Sequence, residues 1–175
     1  MGSITIEVLV EIKHQYRLSW YGTHGVIHWS RVYENGMRLA EQDGVNRKVL
    51  QLFSIFHDSR RRNENWDKSH GNRGAQLALK LRNYCPLDDN EFSLLTTACA
   101  LHTSSRNHDD ITVQACFDSD RLDLGRVGTM PNAEYLCTPM AKSEEVISWA
   151  YKRSLVHQLP KNPFDLSDYD ELGLV

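Results

Sequence analysis

The sequence predicts an all-α protein, a single-domain helical bundle. Apolar residues recur at threes and fours over most of the chain, the spacing that lines one face of an α-helix. Strand signals are weak, and no Asn-Gly or Asp-Gly pair joins two alternating runs. At 175 residues, 41% of them hydrophobic and 25% charged, the chain has the size and composition of one globular domain able to bury a core.

Taken in order, ITIEVLVEI opens a helix of about residues 5–20, although its alternation also fits a strand. Val26, Trp29, Tyr33, Met37 and Ala40 form an apolar stripe on a helix of about 24–42. Val49, Leu52, Phe53 and Phe56 repeat it over about 46–57. Ala75, Ala78, Leu79 and Leu81 mark a third, stopped at Cys85-Pro86 because proline disfavours helix in the residue before it. Leu95, Ala98, Cys99 and His102 follow a cap expected at Asp89 or Asn90. Ile111, Ala115 and Leu122 belong to a helix ending near Gly125. Gly125, Gly128, Pro131 and Pro139 make 125–142 an irregular loop. Ser143, followed by Glu144 and Glu145, opens a last helix with Val146, Ile147, Ala150 and Tyr151 on its apolar face. The expected domain spans 1–175, with a core over about 20–130, a C-terminal helix over about 143–155 and an acidic, partly extended tail over 156–175.

Composition excludes several functions. A net charge of −3 argues against an extended nucleic-acid surface. No apolar run approaches the roughly 18–20 residues that cross a bilayer. The start MGSITIEVLV lacks the features of a signal peptide, and Ile6 stands where a myristoylation motif needs Ser or Thr. Cys85, Cys99, Cys116 and Cys137 contain no C-x-x-C pair, and Cys99 and Cys116 sit in apolar surroundings. Reduced thiols and a cytoplasmic location are expected.

The unusual count is 8 histidines. His28 lies near the start of its helix, His57 and Asp58 close the next one after LQLFSIF, and Asp120 follows ACFDS. Such groups are costly to bury without partners, and one divalent cation can satisfy several together. Adjacent helical residues diverge by about 100°, so His57 and Asp58 converge only where their helix ends; SRRRNEN marks that end. His14, His24, His108 and His157 read as surface or hydrogen-bonded histidines.

The ordered set HWSRV (28–32), FHD (56–58) and DSDRLD (118–123) resembles the HD-domain superfamily of metal-dependent phosphohydrolases. The resemblance covers about residues 20–130. It implies that His28, His57, Asp58 and Asp120 ligate a divalent metal. It also implies that Asp58 orients or deprotonates the attacking water. His70 and His102 occupy places where relatives carry ligands for a second metal or for phosphate; a hydrogen-bonded core histidine is the alternative for each. Gly71 stands where some relatives have an acid. A mixed N/O set suits Mn²⁺, Fe²⁺, Co²⁺, Ni²⁺ or Zn²⁺ and, less readily, Mg²⁺, as one ion or two.

Arg31, Arg61, Lys68 and Arg121 are the expected phosphate contacts, with Arg60 and Arg73 also available. Arg60-Arg61-Arg62 reads equally as a solvated turn, and Arg31 and Arg121 as structural partners of Asp123 or another acid. Asp123 either meets a substrate hydroxyl or pairs with Arg126.

The leading expectation is a phosphohydrolase of a nucleotide or other small phosphoester. A metal- and nucleotide-binding sensor without turnover, and a di-iron oxygenase, are the alternatives. The 59–69 loop and 125–142, a lid or an inert connection, would shape the pocket, and the oligomeric state is left open.

Overall fold

In the computed structural model, residues 3–156 and Phe164 are described. They contain seven α-helices and, among them, no strand. These are α1 (Ile6–Gln15), α2 (Val26–Leu39), α3 (Arg47–Phe56), α4 (His70–Lys80), α5 (Asp89–Leu101), α6 (Ile111–Arg121) and α7 (Glu144–Ser154). The all-α class expected from the apolar spacing is the class observed. Among the described residues, no helix is long and apolar enough to cross a membrane.

Helix α3 forms the centre, packed against α2, α4, α5 and α6. Every residue from Val49 to Phe56 is buried, as befits a helix apolar nearly all round. Its two polar interruptions are satisfied: Ser54 Oγ donates to the Gln51 carbonyl at 2.6 Å, and Gln51 Oε1 accepts from Ser3 N at 2.9 Å. Asn46 caps the helix, its side chain accepting from the amides of Lys48 and Val49.

Several boundaries differ from expectation. Helix α1 ends at Gln15 instead of near residue 20, because Tyr16 and Trp20 turn back to meet Trp29 edge-on, with ring centroids 5.2–5.7 Å apart. Helix α2 therefore starts at Val26, whose amide donates to the Trp20 carbonyl at 2.8 Å. Leu79 is exposed; the buried face of α4 runs instead through Gly71, Gly74, Ala75, Leu77 and Ala78. The cap of α5 is Asp88, one residue before the expected pair, because Glu91 completes a reciprocal capping box with it. Helix α6 ends at Arg121, giving way to a short 3₁₀ turn at Leu124–Val127.

The loop 125–142 is irregular, as expected, apart from 3₁₀ turns at Leu124–Val127 and Ala133–Tyr135. Buried Asp118 holds it, accepting from Cys137 N at 2.8 Å and Thr138 N at 2.7 Å. His157 and the acidic tail beyond Val156 lie outside the described residues, Phe164 excepted. Phe164 is buried, with its ring 5.6 Å from that of Tyr33.

Candidate metal centre

Four helix termini meet beside α3. His28 comes from the first turn of α2, His57 is the C-cap of α3 and Asp58 the next residue. Asp120 lies in the last turn of α6, His70 opens α4, and His102 is the C-cap of α5. Two glycines permit this convergence. A side chain at Gly71 would collide with the Cys99 carbonyl and stand 2.9 Å from the His102 ring. At Gly74 it would collide with the Phe56 carbonyl and lie 3.1 Å from that of His57. Gly71 is thus where α4 approaches α5, and an acid there would displace His102.

The side chains fall into two sets, each with ligand atoms within 4.8 Å of one another: His28, His57 and Asp120, and Asp58, His70 and His102. In the first, His28 Nε2 lies 3.1 Å from His57 Nε2 and 3.3 Å from Asp120 Oδ1. In the second, His70 Nε2 lies 2.9 Å from His102 Nε2 and 3.0 Å from Asp58 Oδ1. Asp58 belongs to both, because its Oδ2 faces His28 and His57 at 3.6 and 3.8 Å.

The opposite ring edges decide the protonation. His28 Nδ1 donates to Asp123 Oδ2 at 2.7 Å. His57 Nδ1 faces the carbonyls of Phe53 and Ser54, each at 3.1 Å. His70 Nδ1 donates to the Asp67 carbonyl at 2.6 Å and His102 Nδ1 to that of Cys99 at 2.8 Å. These acceptors favour the proton on Nδ1, which frees each Nε2 to face inward as a donor to a cation. Within each set two Nε2 atoms face each other at 3.1 and 2.9 Å, a spacing that a shared proton or a cation between them would serve.

Burial, helped by neighbouring rings, pushes the His57 pKa down to about 3 despite Asp58 and Asp120. It lowers that of His102 as well. Burial alone would raise Asp58, but His57, His70, His28 and Arg61 together hold its carboxyl well below the usual range. Asp120 is held low in the same way, chiefly by His28 and His57 against burial. Neutral imidazoles and ionised carboxylates are the forms that ligate a metal. The donor set therefore fits one or two divalent ions.

Beside the ligands opens a cavity of about 450 Å³ lined by His24, Arg61, Trp66, Lys68, His70 and Arg126, among others. Arg61 is buried, its Nη1 3.3 Å from Asp58 Oδ1. Lys68 is exposed at the rim, and Trp66 stands 81% exposed beside it. His24, otherwise a hydrogen-bonded histidine as expected, pairs with Glu64 at 2.5 Å and so ties this wall to the 59–69 loop.

Two expected phosphate contacts do not join the cavity. Arg31 Nε is bound to Asp123 Oδ1 at 2.5 Å. Arg121 donates to the carbonyls of Ser105, Arg106 and Tyr135 at 2.8–2.9 Å and so secures the loops. Asp123 itself turns to His28 and Arg31, while Arg126 stands 3.8 Å away. Trp66, Arg126 and His24 as cavity residues had no signal in spacing, since they lie in loops or a short turn. No family model, curated protein or solved structure matches the chain.

Proposed function

We propose that the protein is a metal-dependent phosphohydrolase of the HD-domain type, acting on a nucleotide or other small phosphoester. One observation carries this reading: four imidazole Nε2 atoms and two carboxylates converge, with every outer ring nitrogen already facing an acceptor. A divalent ion held by His28, His57, Asp58 and Asp120 supplies a water acidified to about neutrality and a Lewis acid for a phosphoryl oxygen. Asp58, kept ionised and anchored by Arg61, orients the attacking water and takes its proton. Lys68 and Arg126 bring positive charge to the cavity where the phosphate would enter. Trp66 offers a flat apolar face to the organic part of the substrate.

Protein loaded with Mn²⁺, Co²⁺ or Ni²⁺ is expected to release inorganic phosphate or cleave a diester within a panel of nucleotides and generic phosphoesters. His57→Ala and Asp58→Ala are expected to abolish it. Full activity in both variants, or no metal bound by the purified protein, would sink the reading.

A second reading, a di-iron oxygenase, is favoured by one feature: Asp58 spans both ligand sets, and His70 and His102 complete the second. Turnover of a phosphoester by the Mn²⁺ or Zn²⁺ protein without oxygen excludes it. Oxygen consumption by the iron-loaded protein, with no hydrolysis by any metal form, would replace the first reading with it.

A further inference from the structure

A second cavity lies behind the segment that carries the His57-Asp58 doublet. Arg60 and Arg62 flank Arg61 in sequence yet line this other space, where Arg17 and Arg73 join them around Gln15. It continues as a surface cavity of about 160 Å³ past Gln76 and Leu77 to Lys80. Arg61 is the one residue it shares with the cavity at the metal centre.

Six cations, Arg61 included, thus line these two adjoining spaces in a chain whose net charge is −3. Asp67 is already taken by Arg73 at 2.5 Å and by the Arg62 amide at 2.8 Å. The Glu11 carboxylate is taken by the Gln15 amide. Among the described residues, Arg17, Arg62 and Lys80 have no carboxylate partner. The Arg60 guanidinium is fixed by hydrogen bonds to the Gln15 carbonyl and Oε1 at 3.1 and 3.0 Å. Burial first, and then the charges of Arg17, Arg73 and Arg62, lower the Arg60 pKa. Gathering like charges is unfavourable unless an anion offsets them, and guanidinium forks match phosphate oxygens. The space is smaller than the 300–1,000 Å³ typical of whole-ligand pockets. It suits the compact, multiply charged part of a ligand.

We propose that this cavity binds the oligophosphate group of a small molecule, independently of the metal centre. Arg60 and Arg73 form its fixed wall, and Arg17, Arg62 and Lys80 close on the anion from solvent.

Calorimetric titration of metal-free protein with sodium tripolyphosphate, at constant ionic strength, tests it. The expected result is saturable one-to-one binding, weakened at least tenfold in Arg17→Ala/Arg62→Ala and retained in Lys68→Ala, whose side chain lines the other cavity. Adenosine triphosphate in place of tripolyphosphate separates a nucleotide source from a free one, because only the former gains from contacts beyond the phosphates. Both substituted arginines are exposed, and unchanged helical circular dichroism with unchanged metal stoichiometry would show an intact fold. Wild-type affinity in the double variant, loss of binding in Lys68→Ala instead, equal binding of sulfate, or no binding at all would each overturn the proposal.

Discussion

Asp123 holds one side of the candidate centre from behind, bonded to the outer edge of the His28 ring. One oxygen accepts from His28 Nδ1 and the other from Arg31, so it fixes both the tautomer and the tilt of the His28 ring. Such outer partners commonly account for about 10–100-fold in metal affinity. Asp123→Ala is expected to weaken metal binding by about that factor, measured by competition with a chelating dye, while Asp123→Asn retains part of it. Affinity unchanged in both would make Asp123 a purely structural residue. The candidate ligands stood out in sequence as polar groups beside apolar runs, His28 at the start of one stripe and His57-Asp58 after LQLFSIF, but their role as a set came only from the resemblance of the ordered motifs. Asp123 was visible as chemistry but not as a partner of His28, because the two are 95 residues apart and local spacing carries no such pairing. HWSRV and DSDRLD placed Arg31 and Arg121 near the site in sequence, but only tertiary contacts reveal where a guanidinium points.

Among the helices, the termini do the positioning. Glu91 serves two of them: it closes the capping box of α5 and accepts from the side chain of Asn46, the cap of α3, at 2.9 Å. Those hydrogen bonds, that from Asn46 first, hold its pKa below the ordinary value of 4.5. A depressed folded-state pKa means stability that is present above the unfolded value and is lost as pH falls through the folded one. Glu91→Ala is expected to cost about 1–2 kcal/mol at pH 7. Thermal melts of both proteins should converge as the pH is lowered below that value, and an undiminished gap in acid would contradict the account. Gly71→Ala belongs to the same scale. Overpacking against α5 should cost about 1–3 kcal/mol in denaturant melts. It should also reduce metal bound at the set containing His102 while sparing the set containing His28. Helix existence was readable from periodicity except at α1, where the alternation of ITIEVLVEI fitted a strand as well. The ends of α3 and α7 were also readable, but those of α1 and α5 were not, since they depend on the aromatic contacts that halt α1 at Gln15 and on the reciprocal pair Asp88–Glu91.

At the level of the whole molecule, one core joins α1 to α7 through α3, enclosed from Val49 to Phe56, and Phe164 packs into it. The cysteines sample that core unevenly. Cys85, Cys99 and Cys116 are free and buried, whereas Cys137 sits partly open on the loop tethered by Asp118. Burial raises all four thiol pKa values, that of Cys85 to about 11. Alkylation needs the thiolate and access to it. With an iodoacetamide-type reagent at neutral pH, mass spectrometry is expected to show Cys137 labelled first and the other three only after the fold opens. Simultaneous labelling of all four would mean that the core opens as readily as the loop. The buried thiols thus give the molecule an internal clock, since the rate at which Cys99 is labelled reports how often the packing around His102 comes apart.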